Sequence, residues 1–135
     1  MTMQIDSKAT VQAFLDASVR GDESAMRALL HADIEVVEAD SLPYGGVHRG
    51  ADGFIALIRR VFTTWRDTQV SVQSVVAEGD QVVMLATMTG RGRETGTAFT
   101  MPIAEVWTLR DGKILRITPY YLDTQLLCDI AAGRR

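Results

Sequence analysis

Residues 105–123, EVWTLRDGKILRITPYYLD, predict two strands joined by a tight turn. The turn is set by Asp111 and Gly112, a dipeptide that favours a two-residue hairpin connection. On both sides of it, apolar and bulky residues alternate with polar or smaller ones, which is the period of a half-buried strand. We therefore expect an antiparallel hairpin formed by residues 97–109 and 114–122.

Two further strands are predicted upstream of this hairpin. Residues 68–78 carry four valines, residues 81–90 are rich in Val, Met and Thr, and a Gly-Asp turn separates the two segments. The apolar phase breaks between Val72 and Val75, which indicates a bulge. The polar, glycine-containing residues 90–96 predict the tip of a hairpin that joins the strand at 81–90 to the strand at 97–109. The second half of the chain should thus be a series of hairpin-linked strands.

The first half of the chain predicts three amphipathic helices with one short strand among them. Asp6 or Ser7 can cap the first helix, and the strand is expected at residues 34–38. The apolar stripes repeat at helical spacing: Val11, Phe14 and Leu15; then Met26, Leu29 and Leu30; then Phe54, Leu57, Ile58, Val61, Phe62 and Trp65. A short terminal helix can follow a cap at Asp123 or Thr124.

This order of elements predicts an α+β fold with three N-terminal helices packed on a curved, mixed but mostly antiparallel sheet. Helices on one face of a curved sheet form a cone, and the interior of a cone is a natural pocket for a small molecule.

Composition limits the classes of protein that this fold could serve. The chain of 135 residues fits one domain spanning 1–135, and its net charge of −3 does not favour nucleic-acid binding. The single cysteine, Cys128, cannot form an internal disulfide, which favours a reducing compartment. No apolar stretch approaches the ~20 residues of a membrane span, and no signal peptide is evident. A cytoplasmic domain without a membrane partner is expected.

Three segments resemble the nuclear-transport-factor-2-like superfamily, and in particular its SnoaL-like and ketosteroid-isomerase-like branch. They are VQAFLDASVRGD at 11–22, MRALLHADIEVVE at 26–38, and the closing segment at 105–123. The resemblance implies the cone fold, a small apolar or aromatic ligand, and a homodimer that packs the outer faces of two sheets together. It does not fix the activity, because this fold hosts isomerases, cyclases, epoxide hydrolases, dehydratases and non-enzymatic adaptors.

The resemblance to ketosteroid isomerase can be followed residue by residue. That enzyme uses an Asp general base, and a Tyr and a protonated Asp that bind the developing oxyanion. The tyrosine position matches Phe14, which has no hydroxyl, and the base position matches Glu38. The protonated-acid position matches Ala104 or Glu105, depending on the alignment. Classical ketosteroid isomerase activity is therefore not expected.

Two other activities of the fold also lack their residues here. Limonene epoxide hydrolase activates water with two Asp and one Arg on the late strands. The resemblance places Tyr120 at one of these Asp positions, and residues 97–109 contain no Arg-x-Asp sequence. SnoaL-type cyclases use an acidic residue near the same place in the last strand, where the same difference applies.

Four residues are candidates for catalysis. Glu38 or Glu105 would move a proton, because burial raises the pKa of a carboxyl towards neutrality. Tyr121 or His48 would polarise a carbonyl group. Strand alternation puts Glu105 on the same face as Trp107, so Glu105 lies in the cone if the bulkier face is the inner one.

The candidate ligand-binding residues are aromatic: Phe14, Tyr44, Phe62, Trp65, Trp107 and Tyr120. No metal site is expected, because His31 and His48 are too far apart in sequence for a metal-binding motif, and no cofactor is expected. Two hypotheses follow. The first is a cofactor-independent enzyme for proton transfer (isomerisation, cyclisation, dehydration or hydration) on a small, largely apolar, oxygenated molecule. The second is a non-catalytic ligand-binding or adaptor domain.

Overall fold

Residues 6–135 are described by the computed structural model of the protein and contain four helices and six strands. The helices are α1 (Ser7–Arg20), α2 (Glu23–Ala28), α3 (Gly50–Thr64) and α4 (Thr124–Ala131). The strands are β1 (Leu30–Glu38), β2 (Gly46–Arg49), β3 (Arg66–Glu78), β4 (Gln81–Arg91), β5 (Ala98–Arg110) and β6 (Lys113–Tyr121). None of the helices in this part of the chain is long and apolar enough to cross a membrane.

All six strands form one sheet in the order β2-β1-β6-β5-β4-β3. Strand β1 runs parallel to β6, and every other neighbouring pair is antiparallel, so the sheet is mixed and mostly antiparallel. The predicted α+β class is confirmed. The three predicted N-terminal helices are present, and α4 adds a fourth at the other end of the chain.

The turn between β5 and β6 has the predicted form. Asp111 and Gly112 have φ angles of 53° and 74°, and Arg110 pairs with Lys113 across them. A two-residue turn with both central residues at positive φ matches the twist of the strands that it joins. The turn therefore fixes the register of β5 against β6.

The helix starts follow the predicted capping chemistry. The side chains of Asp6, Asp22 and Asp123 each accept a hydrogen bond from the backbone N–H three residues later, which satisfies a donor that the helix leaves free. Of the alternatives left open by the sequence, Asp6 and Asp123 are the caps. Ser7 is instead buried, and its hydroxyl donates to the carbonyl of Gly79 at 2.8 Å, which ties α1 to the β3–β4 turn.

Strand β2 was not predicted, and strand β1 begins earlier than predicted. The sequence predicts a loop where β2 lies, because its four residues include a turn-forming glycine and show little apolar alternation. It is a strand because its backbone pairs with the end of β1, where His48 lies opposite Val36. Strand β1 also begins earlier than residue 34, with an irregular register between Leu30 and Glu35.

The core lies between the inner face of the sheet and helices α1 and α3. Strand β4 shows its pattern clearly, since alternate residues from Val82 to Met88 are buried. The bulge predicted in β3 is present as a register shift between Val72 and Ser74. The strand bends there, and a bulge of this kind increases the twist of a sheet.

Candidate active site

A cavity of about 570 Å³ lies between the sheet and helices α1 and α3. Its size is within the range that holds a small organic ligand. Most of its wall is apolar: Phe14, Leu15, Val19, Val36, Phe54, Leu57, Ile58, Val61, Phe62, Val70, Val72, Met84, Ala86, Met88, Ile103, Trp107, Ile117 and Pro119. The polar residues of the wall are Ser18, Glu38, Gln69, Glu105 and Tyr121.

The cavity has an open side formed by the ends of α1 and α3 and by β3. Four apolar residues there line the cavity and are also exposed: Val19, Phe62, Val70 and Val72. On β3, Val70 and Val72 lie opposite Met88 and Ala86, which places them on the inner face of the sheet. A ligand that enters from this side would pass over apolar surface before it reaches a polar group.

Two carboxyl groups face the cavity from strands on either side of β6. Glu38 ends β1 and is 5% exposed, and Glu105 lies within β5, opposite Pro119 of β6. Ala104 lies opposite Tyr120 and belongs to the other face, so of the two residues left open by the sequence, Glu105 is the one in the cavity wall. With one strand between them, β1 and β5 are about 10 Å apart at a strand spacing of ~4.8 Å.

Both carboxyl groups hold a proton more strongly than an ordinary glutamate. Burial raises the pKa of Glu38 from 4.5 to about 7, and the Tyr121 hydroxyl, which donates to its Oε1 at 2.8 Å, partly opposes this effect. Burial, and then the charge of Glu38, raise the pKa of Glu105 to about 7, while Trp107 partly opposes the rise. At neutral pH each group can therefore either accept or donate a proton.

Trp107 lines the cavity next to Glu105. It is 2% exposed, and its indole N–H lies near the Glu105 carboxyl but makes no hydrogen bond of normal geometry within residues 6–135. Its ring meets that of Phe14 edge to face, with centroids 5.6 Å apart. The N–H favours the ionised form of Glu105 and so lowers the pKa of that carboxyl. A buried donor without a partner is costly, so its presence needs a reason.

A tyrosine–tryptophan cluster supports Glu38 from behind. The Trp65 indole N–H donates to the Tyr44 hydroxyl at 3.3 Å, and both side chains are buried. Burial raises the pKa of Tyr44 to about 12. Burial, followed by the neighbouring Tyr44 and Glu38, raises the pKa of Tyr121 far above its ordinary value. Tyr121 therefore stays protonated and continues to donate to Glu38 at any physiological pH.

Six of the residues predicted from sequence come together in the cavity wall: Glu38, Glu105, Tyr121, Phe14, Phe62 and Trp107. Tyr44 and Trp65 are not in the wall. They pack against each other behind it, with ring centroids 6.5 Å apart, and the ring of Trp65 also packs on Phe99. The stripe on α3 correctly indicates burial of Trp65, but it does not indicate which buried residues reach the cavity.

The other two predicted residues also lie outside the wall. His48 is on β2, and its Nε2 is 2.8 Å from the backbone oxygen of Tyr44, so it braces the preceding loop. Tyr120 is 60% exposed on the outer face, because strand alternation turns it away from its neighbour Tyr121. Neither side chain is placed where it could polarise or contact a molecule in the cavity.

The sequence did not single out Ser18 and Gln69 as polar groups of the site. Ser18 shares a face with Val11 and Phe14 on α1, and this helical spacing was the available signal. Gln69 borders the cavity from the strand β3, but it lies opposite Thr89, on the face of the sheet away from Val70 and Met88, so strand alternation does not indicate it as a residue of the site.

Comparison with known proteins agrees with this architecture. The family profile described as a SnoaL-like domain matches residues 11–117, and the chain belongs to this family. The nuclear-transport-factor-2-like resemblance noted from the sequence is thereby confirmed. No curated protein matches the chain.

Solved structures show the same fold over nearly the whole chain. An NTF2-like protein from Burkholderia thailandensis E264 is 29% identical, with a TM-score of 0.84, and covers 95% of this chain and 98% of its own. One from Burkholderia xenovorans LB400 is 27% identical, with a TM-score of 0.81 and coverage of 96% and 99%. A protein from Jannaschia sp. CCS1, provisionally described as a SnoaL-like polyketide cyclase, is 20% identical, with a TM-score of 0.77 and coverage of 98% and 97%. At that identity the likeness shows the fold alone.

Proposed function

We propose that the protein is a cofactor-independent enzyme that transfers a proton within a small, largely apolar, oxygenated molecule. The observation that carries this proposal is the pair of carboxyl groups, Glu38 and Glu105, that face one apolar cavity, where burial raises the pKa of each to about 7. Isomerisation, cyclisation, dehydration and hydration all need such a base and acid.

In this proposal each polar group has a separate role. Glu38, as carboxylate, removes a proton from a carbon next to the substrate carbonyl, and the C–H electron pair moves towards the carbonyl oxygen. Tyr121 donates to Oε1 of Glu38 and leaves the other carboxylate oxygen for the proton. Glu105, as the neutral acid, donates a hydrogen bond to the carbonyl oxygen as negative charge develops there. Return of the proton from Glu38 to a different carbon completes an isomerisation.

The family includes enzymes, and the residue at the helix-1 position limits which groups could donate to a substrate oxygen. The SnoaL-like and related NTF2-like proteins include polyketide cyclases and isomerases. Phe14 occupies the cavity wall where the isomerase resemblance would have a tyrosine, and it cannot donate a hydrogen bond. The proposal therefore uses Glu105 as the acidic donor.

Hydrogen exchange at carbon tests the proposal with probe ketones, so the natural substrate need not be identified first. A panel of neutral cyclic ketones and enones would be incubated with the protein in D₂O, and deuterium uptake next to the carbonyl measured by NMR. We expect protein-dependent exchange for at least one compound, and loss of that exchange in Glu38→Gln. Exchange at the buffer rate for every compound would overturn the enzymatic proposal.

A non-catalytic ligand-binding domain is the second candidate function. The missing hydroxyl at Phe14 favours it, because one donor found in the related isomerase is replaced by an apolar ring. This candidate predicts that a ketone from the panel raises the melting temperature of the protein while its deuterium uptake stays at the buffer rate.

We also propose that the protein forms a homodimer through the outer face of its sheet. Val76, Leu85 and Tyr120 are exposed on that face, and Leu122 is exposed just beyond β6. Leu85 lies opposite Ser74 on β3 and Ala104 on β5, so the centre of the face has little charge. Exposed apolar patches of this kind commonly mark an interface between proteins.

Leu85→Arg is expected to separate the dimer into monomers, because it places a charge at the centre of the proposed interface. Light scattering after gel filtration should give about 30 kDa for the wild type, twice the 14.8 kDa of the chain, and the monomer mass for the variant. Val19→Arg, which changes an exposed valine on α1, is the matched control and should remain dimeric. A wild type of monomer mass would refute the interface.

A further inference from the structure

The ionisable groups of the cavity have only one sign. Glu38 and Glu105 can each carry a negative charge, and Tyr121 stays neutral. Within residues 6–135, no lysine, arginine or histidine lines the cavity. Among the described residues its wall is therefore neutral or negative, and it offers no positively charged side chain to an anionic group of a ligand.

The two carboxyl groups belong to the wall of the same cavity. Strands β1 and β5 flank β6, and both Glu38 and Glu105 line the space above it. The negative charge of Glu38 adds to the effect of burial in raising the pKa of Glu105. A positive group between them would reverse this repulsion and favour the ionised form of both.

The aromatic side chains around the cavity favour a cation as well. The Trp107 N–H lowers the pKa of Glu105 and so favours the carboxylate, which is the form that attracts a cation. The rings of Phe14, Phe54 and Trp107 adjoin the same space, and aromatic faces attract cations.

We infer that the cavity accepts apolar molecules that carry a protonated amine and rejects the corresponding carboxylates. The inference rests on the proposed function only in taking this cavity as the ligand site, and it does not depend on proton transfer. An alkyl ammonium group keeps its proton there, because its pKa of roughly 10 lies well above that of either carboxyl group.

Binding of an amine should depend on pH in a defined direction. The groups near Glu38 are Tyr121 on β6, Tyr44 on the loop between β1 and β2, and Glu105 on β5. Trp107 is the neighbour of Glu105. The described residues supply no positive group to these carboxyls, so the ligand is the one cation that changes their ionisation. Because the cation binds best to carboxylates, affinity for an amine should rise from pH 6 to pH 8.

A matched series of three probes tests the inference in the wild-type protein. The probes are 2-(1-naphthyl)ethylamine, 2-(1-naphthyl)ethanol and 1-naphthylacetate, which share a ring and differ in charge. Titration calorimetry at pH 8 should show the amine binding about tenfold or more tightly than the acetate, with the alcohol between them. Repetition at pH 6 should weaken amine binding and leave alcohol binding unchanged.

Two variants locate the effect in the cavity. Glu105→Gln should weaken amine binding about tenfold and change alcohol binding little. Glu35→Gln is the control, because it removes a carboxylate on β1 that pairs with Arg49 outside the cavity wall. Circular dichroism would establish that each variant is folded, and the wild-type probe series tests the charge preference without any substitution.

Acetate binding equal to or tighter than amine binding would overturn the inference, as would failure of all three probes to bind. Amine affinity that is unchanged in Glu105→Gln would overturn it as well. The outcome is separate from that of the exchange assay. Exchange of carbon-bound hydrogen without amine binding would support the proposed function and overturn the amine preference. Amine binding without hydrogen exchange would support the amine preference and overturn the proposed function.

Discussion

Replacement of Glu38 by Gln is expected to slow proton transfer by about a thousandfold, which is within the usual range for loss of a general base. The amide keeps the shape of the side chain, and its oxygen can still accept from Tyr121, so the change removes the basic group and little else. Initial rates of deuterium uptake into an exchanging ketone would measure the effect. Glu105→Gln should cause a smaller loss, because an amide N–H can still donate a hydrogen bond to the carbonyl oxygen.

Glu35→Gln serves as the control for this comparison. Glu35 is on the same strand as Glu38 but pairs with the exposed Arg49 and does not line the cavity. Its substitution should leave the exchange rate within about twofold, because surface ion pairs contribute little. A Glu38→Gln protein that exchanged hydrogen as fast as this control would show that Glu38 is not the base.

The stability of the wild-type protein is expected to fall as the pH rises from about 5 to 8. The pKa values of Glu38 and Glu105 are about 7 in the folded state, against an ordinary 4.5, so the folded state binds more protons across this interval. The free energy of unfolding decreases with pH wherever the folded state holds the extra protons. Each group on its own corresponds to about 3 kcal/mol, from 1.36 kcal/mol per unit of pKa, and the two effects are coupled.

Urea unfolding of the wild type and of the Glu38→Gln, Glu105→Gln double variant, each at pH 5 and pH 8, would measure this dependence. The double variant should lose most of it, and should be more stable than the wild type at pH 8. The hydrogen bond from Arg134 lowers the pKa of Asp129, so that group acts in the opposite direction and at more acidic pH than the two glutamates. An equal fall in both proteins would assign the dependence to other groups.

The expected loss of stability when Glu38 and Glu105 ionise is itself an indication that the cavity is a functional site. Two carboxyl groups in an apolar cavity oppose folding at neutral pH, and a well-packed core would not contain them. Such costs are typical of functional sites, where local stability is given up for chemistry. The unpartnered N–H of Trp107 beside Glu105 is a third cost in the same place.

Local chemistry made much of the fold predictable. The Asp111–Gly112 turn and the aspartate caps depend on residues close together in sequence, and these features were predicted where they occur. Strand β2 was not predictable, because its pairing with β1 depends on backbone geometry at the edge of the sheet and not on a pattern of side chains.

The candidate site was predictable only in part. Alternation in β5 put Glu105 and Trp107 on one face of the sheet. It could not show that this face is the inner one, because the inner face is the one on which helices α1 and α3 pack. Tyr44 and Trp65 were expected in the cavity wall because they are large and aromatic. They lie behind it because each satisfies the polar atom of the other.

Carbon-13 NMR titration of the glutamate side-chain carboxyls tests most directly whether the cavity holds an acid–base pair. Two resonances should titrate near pH 7, and they would be assigned to Glu38 and Glu105 by their loss in the corresponding Gln variants. Titration of every glutamate below about pH 5 would contradict the proposed site.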